Sequence, residues 1–311
     1  MAKNKEKELS SFEKTSGIVG AKESAGDHVF NVFNSILMIL ISIVIVYPLW
    51  YTVVASFTDP AVVNSGQFLI IPTKPFVNGY KEALEYPRIW SGYGNTLLYT
   101  AVSVIVSLCC TIPGAYALSR MDMVGRRPIM FLFTFTMFFN GGMIPLYLVV
   151  RNLGLYNTMW ALILPSAVSV YNLIVARSFF EGNLPIDLLE AAQLDGCSDF
   201  GFFFKIALPL SSTIIAVMVL FYATAMWNVY FNAIMFLQDQ NKMPLQVILR
   251  DLVLSNSLTQ GMSASELVEK QKLVDQLKYV IVTLAAFPLV IMYPFVQKYF
   301  AKGVMVGAVK G

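Results

Sequence analysis

Charge is scarce in this chain. Only 13% of its 311 residues are Asp, Glu, Lys or Arg, roughly half the share that a soluble domain carries. A surface built from this stock cannot face water on all sides, so a fully soluble fold is excluded. Histidine is scarcer still, with His28 the single copy. That rules out a histidine-rich metal site and a histidine-based triad within a membrane. The cysteines number three, Cys109, Cys110 and Cys197. Their spacing fits neither a metal site nor a disulfide framework, and they read as small buried hydrophobes. No G-x-x-x-x-G-K-S/T run occurs, so this chain does not cradle and hydrolyse ATP by that route. The net charge of +3 is too small to point to nucleic acid. Internal repeats and low-complexity stretches are also lacking.

What is present is apolar sequence, 57% of the residues. A helix needs about 20 mainly apolar residues to cross the hydrocarbon, because backbone groups cannot be left unpaired in lipid. Six segments meet that test, at residues 29–57, 95–118, 129–150, 159–180, 210–237 and 277–299. The predicted fold is therefore all-α, a polytopic membrane protein with six transmembrane helices. The first span is too long and too late for a cleavable signal peptide. Residues 1–28 read as a polar cytosolic tail and residues 300–311 as a second one.

Orientation follows the basic residues of the short loops. Arg120, Arg126 and Arg127 lie between spans two and three, against Arg151 between spans three and four. This bias predicts the first of these loops, and both termini, on the cytoplasmic side of the cell membrane. Lys298, Lys302 and Lys310 agree. The long outer loops, 58–94 and 238–276, also hold basic residues, so the charge bias needs support from loop motifs. Pro48, Pro113, Pro145, Pro165, Pro288 and Pro294 fall inside the spans and predict kinks.

The longest inner loop, residues 181–209, has distinctive chemistry. Pro185 suits the first turn of a short helix, and Gly196 can end that helix with a positive φ. Ser198 or Asp199 then caps a second short helix running towards Pro209. Ile186, Leu189, Ala192 and Gln193 share a helical face, whose small members would let a partner approach closely.

Glu190, Ala191, Ala192, Asp195, Gly196, Ile206, Leu208 and Pro209 together resemble the EAA loop of ATP-binding-cassette importer permeases. Cys197 stands where carbohydrate-importer permeases usually have alanine. The tail 297–311 and the stretches 138–158 and 227–237 also resemble the MalG-type permeases of maltose-like importers, in the branch that handles larger saccharides. The resemblance runs from the first span to the C-terminus. It implies a MetI/MalG-like fold and a permease subunit of a bacterial importer for a sugar or oligosaccharide, with no catalytic residues of its own. It also implies partners: a second homologous permease, two cytosolic ATPase subunits that bind ATP and Mg, and an extracellular solute-binding lipoprotein. The EAA loop would couple this chain to the ATPase, with Glu190 as polar anchor, Asp195 pinning the turn and Gly196 permitting it.

A sugar pathway should offer amides, hydroxyls and aromatic plates rather than charge. Asn140, Gly141 and Gly142 precede Pro145 in span three and suggest a broken helix. Ser166, Ser169, Tyr171 and Asn172 interrupt span four. Asn228 and Asn232 are one turn apart in span five, beside Trp227 and Tyr230. Two readings stand for these residues. They line a pathway, or they act as an aromatic belt and as helix-joining amides. In the loop 238–276, Ser263 and Glu266 form a capping-box pattern, and the corresponding loop of maltose-type subunits reaches towards the binding protein.

Two other functions compete. An ion-coupled secondary transporter usually needs ionisable groups near the bilayer midplane, and these spans hold almost none, with Arg177 at an inner edge. A membrane enzyme would need a cluster of catalytic side chains at one depth, and none is visible. Peptide or lipid-linked cargo stays open alongside sugar.

Overall fold

The computed structural model describes residues 25–256 and 264–308, and Ser263 lies outside them. The described chain is helical, and its β pairing is limited to an isolated bridge between Thr58 and Pro75. Three helices are long and apolar enough to cross a membrane, and three bent pairs raise the number to six if each pair is one span.

The unbroken spans are α1 (Ala25–Ser56), α4 (Ile89–Ser119) and α15 (Ala264–Ala308). The helix α4 starts ahead of its predicted boundary at residue 95, and α15 runs past residue 299. Two short helices, α2 (Pro60–Asn64) and α3 (Asn78–Glu85), lie between α1 and α4. The hub is α4. Its buried Thr96, Ser103, Ser107, Thr111 and Ala115 recur every three to four residues or their multiple and form one stripe. Small side chains of this kind let helix backbones approach closely where no hydrophobic effect drives them together.

Span three breaks where its glycines stand. The pair α5 (Arg126–Phe138) and α6 (Met143–Asn152) meet at 115°. Gly142 has φ 86° and ψ 176°, a region that essentially only glycine occupies. The carboxamide oxygen of Asn140 accepts from the Gly142 N–H at 2.9 Å and steadies the break.

Span four breaks after Pro165. The helix α7 (Trp160–Ile163) and a following 3₁₀ turn meet α8 (Val170–Asn183) at 48°. The new helix end exposes orphan N–H groups. Ser169 Oγ caps the Asn172 N–H at 3.4 Å, and Tyr222 OH accepts from the Ser169 N–H at 3.2 Å. Tyr222 OH also pairs with Thr111 Oγ1 at 2.6 Å. Three spans therefore meet at one polar node, which satisfies the backbone inside an apolar bundle.

Span five is α12 (Ser212–Trp227) followed, after a break at residues 228–230, by α13 (Phe231–Phe236). A further helix, α14 (Leu245–Asn256), then packs on α4 and α15. At this end of the molecule the loops are stitched together. Asn157, at φ 60°, accepts the N–H groups of Gln238 and Asp239 at 3.0 Å each. Tyr99 OH donates to the Lys242 carbonyl at 2.9 Å. The fully buried Gln276 accepts from the Gly79 N–H at 2.7 Å and donates to the carbonyls of Ser56 and Phe76.

Candidate functional site

At the opposite end of the bundle, the EAA segment forms two short helices. The first is α9 (Ile186–Leu194) and the second α10 (Asp199–Phe202). Pro185 sits one step ahead of the first helical turn, with φ −59° and ψ 145°. It pre-sets the chain direction and its carbonyl accepts from the Leu188 N–H. The end of α9 is a Schellman motif. The Gly196 N–H donates to the Gln193 carbonyl at 3.0 Å and the Cys197 N–H to the Ala192 carbonyl at 2.9 Å. Gly196 has φ +77°, and a Cβ there would meet nothing within 4 Å. The need for glycine is thus conformational and not steric. Such motifs bring an apolar residue after the glycine back onto the helix. Cys197 fills that role, packed on the core cluster that contains Ala192. This explains why a small apolar side chain follows Asp195-Gly196.

Ser198 caps α10 by accepting from the Gly201 N–H at 3.2 Å. A π-turn over Phe203–Ala207 follows, then α11 (Leu208–Leu210) and a 77° bend into span five. Pro209 accounts for the wide turn. It has no N–H for the Lys205 carbonyl, and its ring would clash with that carbonyl in a regular α-turn.

The faces of α9 differ from the sequence expectation. Ala192 is buried, turned into a cluster with Tyr116, Phe180, Phe202 and Phe203. Gln193, Glu190, Ala191, Asp195 and Gly196 are exposed. Pro209 is exposed too, while Leu208 and Ile206 pack against the cluster. The hairpin tip carries two bare apolar side chains, Leu194 at 90% exposure and Phe200 at 80%. Neither belongs to the EAA pattern, and no periodicity marks them. Their exposure on a projecting segment is the signal, since large bare apolar side chains there are candidates for a contact site.

One ionic contact ties the hairpin to the membrane helices, and others tie those helices to one another. Arg120, at the end of α4, binds Asp199 Oδ1 at 2.6 Å and also Asp122. Arg177 of α8 binds Glu181 at 2.7 Å, and Arg126 reaches the same carboxylate at 3.4 Å. Arg177 Nε also donates to the Leu118 carbonyl at 3.1 Å and Arg126 to the Ser119 carbonyl at 3.2 Å. These carbonyls have no partner within α4, and the negative end of its dipole favours the guanidinium groups. The hydrogen bond from Arg120 holds the Asp122 carboxyl below the usual carboxylate range. A cavity of about 480 Å³ lies between the end of α4, α8 and α9, lined by residues including Arg120, Arg126, Arg177, Glu181 and Leu189. Sequence reasoning placed Arg120 and Arg126 only as orientation signals and left Asp199 as a helix cap. The contact of Arg120 with Asp199 spans 79 residues and that of Arg126 with Glu181 spans 55, and neither has a local signature.

The residues predicted to line a pathway are dispersed. Asn140 and Gly141 are exposed at the break of span three, and Tyr171 is exposed beside the break of span four. Asn172 is buried. Trp227 is buried as well, its indole N–H donating to the Ala285 carbonyl at 3.0 Å. Asn228 is exposed and donates to the Thr224 carbonyl at 2.9 Å. Tyr230 and Asn232 are half-buried. Among the described residues no group of His, Cys, Asp or Glu could hold a metal ion.

The family described as binding-protein-dependent transport system inner membrane component matches residues 15–306. The chain is 42% identical to the polygalacturonan/rhamnogalacturonan transport system permease protein YtcP of Bacillus subtilis (strain 168), over 88% of this chain and 96% of that one. It is 38% identical to protein LplC of the same organism, over 91% and 95% respectively. Among solved structures, a bacterial ABC transporter involved in import of the acidic polysaccharide alginate matches with a TM-score of 0.76 and 32% identity. That match covers 90% of this chain and 100% of the other. Permeases of this kind work in multi-pass membrane assemblies with a second permease, an ATPase and a binding protein, and are not enzymes themselves. The chain belongs to the binding-protein-dependent transport system inner membrane components, as the permease subunit of an ABC importer.

Proposed function

We propose that this chain forms half of a heterodimeric pore that imports a sugar or oligosaccharide, and that the hairpin α9–α10 is its lever. The observation that carries this reading is the hairpin's construction: an exposed apolar tip on a base clamped to α4 and α8. ATP and Mg bind to two separate cytosolic ATPase subunits. Leu194 and Phe200 insert into the ATPase surface, and Glu190 makes the polar contact beside them. Closure of the ATPases around ATP then displaces the hairpin. Because Arg120 joins Asp199, and Ala192 and Phe202 pack in one cluster with Tyr116 of α4 and Phe180 of α8, the displacement reaches the ends of α4 and α8 rather than dissipating in a loose loop.

The hairpin and both termini are cytoplasmic in this reading, and the stitched loops around Asn157 and Gln276 face outward to meet a lipoprotein that delivers the cargo. Support for a saccharide comes from relatives named for polygalacturonan, rhamnogalacturonan and alginate. The broken spans add exposed amides and an aromatic ring at Asn140, Tyr171 and Asn228, with the half-buried Tyr230 beside them, which suit hydroxyl-rich cargo.

The test is a reconstituted importer with Glu190→Lys or Leu194→Asp. Both variants should insert and assemble with the second permease, yet lose cargo uptake and ATPase retention. Normal uptake in both would remove the lever role. Uptake that persists without any ATPase subunit would favour a secondary transporter.

A further inference from the structure

The end of span five carries a polar arrangement that extends beyond Asn228 and Tyr230. One face of α14 is packed inward: Leu245, Ile248, Leu249 and Leu252 are all fully buried. Gln246 and Arg250 stand one turn apart on another face, and so project to the same side. They lean over the break between α12 and α13. The Gln246 carboxamide lies 3.4 Å from the Asn228 side-chain oxygen. The Arg250 guanidinium carbon lies 5.5 Å from the centre of the Tyr230 ring. Arg250 is exposed, and none of the ion pairs among the described residues includes it. The arginines at the other end, Arg120, Arg126 and Arg177, all have carboxylate partners.

We propose that Asn228, Tyr230, Gln246 and Arg250 form a recognition site for a saccharide bearing carboxylate groups, a uronate oligomer. The inference rests on the saccharide reading above and narrows it. The chemistry divides cleanly. Two amides offer donors and acceptors suited to sugar hydroxyls. The Tyr230 ring lies within cation–π range of the guanidinium and favours its position there. A guanidinium is a planar fork that binds a carboxylate through two parallel hydrogen bonds. A neutral sugar can accept hydrogen bonds from it but offers no opposite charge to pair with it. A cationic cargo would be repelled by it.

The experiment uses the complete importer in proteoliposomes, with the second permease, the ATPases and the binding protein. The probes are trigalacturonate and the same trimer with its carboxyl groups reduced to alcohols. The wild type should carry the acid form in preference to the reduced form. Arg250→Gln should lower uptake of trigalacturonate by at least about tenfold, the scale of a lost charge-assisted hydrogen-bond pair, and leave the reduced trimer unaffected. Arg250→Lys should restore part of the loss, because it keeps the charge without the fork. Affinity for the loaded binding protein, measured separately, should not change.

Equal loss on both probes, or weakened association with the binding protein, would overturn the inference and make Arg250 a docking or structural residue. A wild type that carries the reduced trimer as well as the acid would overturn it while leaving the saccharide reading intact. If neither trimer nor any other oligosaccharide is carried, the saccharide reading itself falls, and this site with it.

Discussion

The Nη1 atom of Arg120 lies 2.6 Å from Oδ1 of Asp199, a residue 79 positions further along the chain. This contact joins the end of span two to the second helix of the EAA hairpin. Its geometry is charge-assisted, with 15% of the arginine side chain exposed against 62% of the aspartate's. A screened surface pair would contribute little, but this one fixes the angle between two elements. Arg120→Gln should therefore leave expression and membrane insertion unchanged and separate ATP hydrolysis from transport. The measure is the ratio of phosphate released to cargo moved in proteoliposomes. That ratio should rise several-fold, and an unchanged ratio with normal uptake would show that the contact transmits nothing.

The same cluster predicts a pH response. The hydrogen bond from Arg120 depresses the Asp122 carboxyl, so the folded protein favours its charged form. The stabilisation is fully present above the ordinary carboxylate value and is lost as pH falls through the depressed one. Coupling should be flat between about pH 8 and 5 and decline only below about pH 4. Asp122→Asn should abolish the part of that decline which belongs to this carboxyl.

Gly196 gives a graded test of the hairpin turn. At φ +77° a Cβ has room but the backbone is unfavourable, at a cost of about 1 kcal/mol for an ordinary residue. Gly196→Asn should be nearly neutral, Gly196→Ala mildly impaired and Gly196→Val worse. Gly196→Pro should abolish uptake, since proline cannot reach positive φ. Thermal melting of the purified complex alongside uptake would rank the series, and equal behaviour of all four would refute the account.

Trp227 separates two roles. Its ring is buried and its N–H is bonded to Ala285, so it joins span five to span six. Trp227→Phe should lower the stability of the solubilised protein by about 1 kcal/mol, the worth of one hydrogen bond, with cargo affinity unchanged. A loss of cargo affinity at constant stability would return Trp227 to the pathway.

Orientation is open to direct labelling. In a cysteine-free background, Val124→Cys should react with a membrane-impermeant maleimide only from the cytoplasmic side, and Gln67→Cys only from outside. Both positions are exposed in the structure. The reverse pattern would invert the assembly and place the hairpin out of reach of an ATPase.

Much of this architecture is legible in local sequence. The breaks in spans three and four fall at Asn140–Gly142 and around Ser166–Ser169 because glycine, proline and capping serine act over a few residues. The turn at Gly196 and the cap at Ser198 are legible for the same reason. What local reasoning misses is set at a distance. Ala192 lies on a face that looks open to a partner, yet the neighbouring aromatic cluster claims it. Trp227 looks like a belt residue until Ala285, 58 positions away, supplies its acceptor. The clamp of Arg120, Arg126 and Arg177 is invisible as such, because each arginine alone reads as a charge at a membrane edge.

Gln276 carries a consequence for biogenesis. Its one carboxamide serves Ser56, Phe76 and Gly79, all about 200 residues upstream. The ribosome has threaded five spans before this side chain exists. Until then the segment that follows the first span has backbone groups waiting for a partner, and only delivery of the final helix seals that cap. A nascent chain stopped short of residue 276 lacks the side chain that closes these contacts.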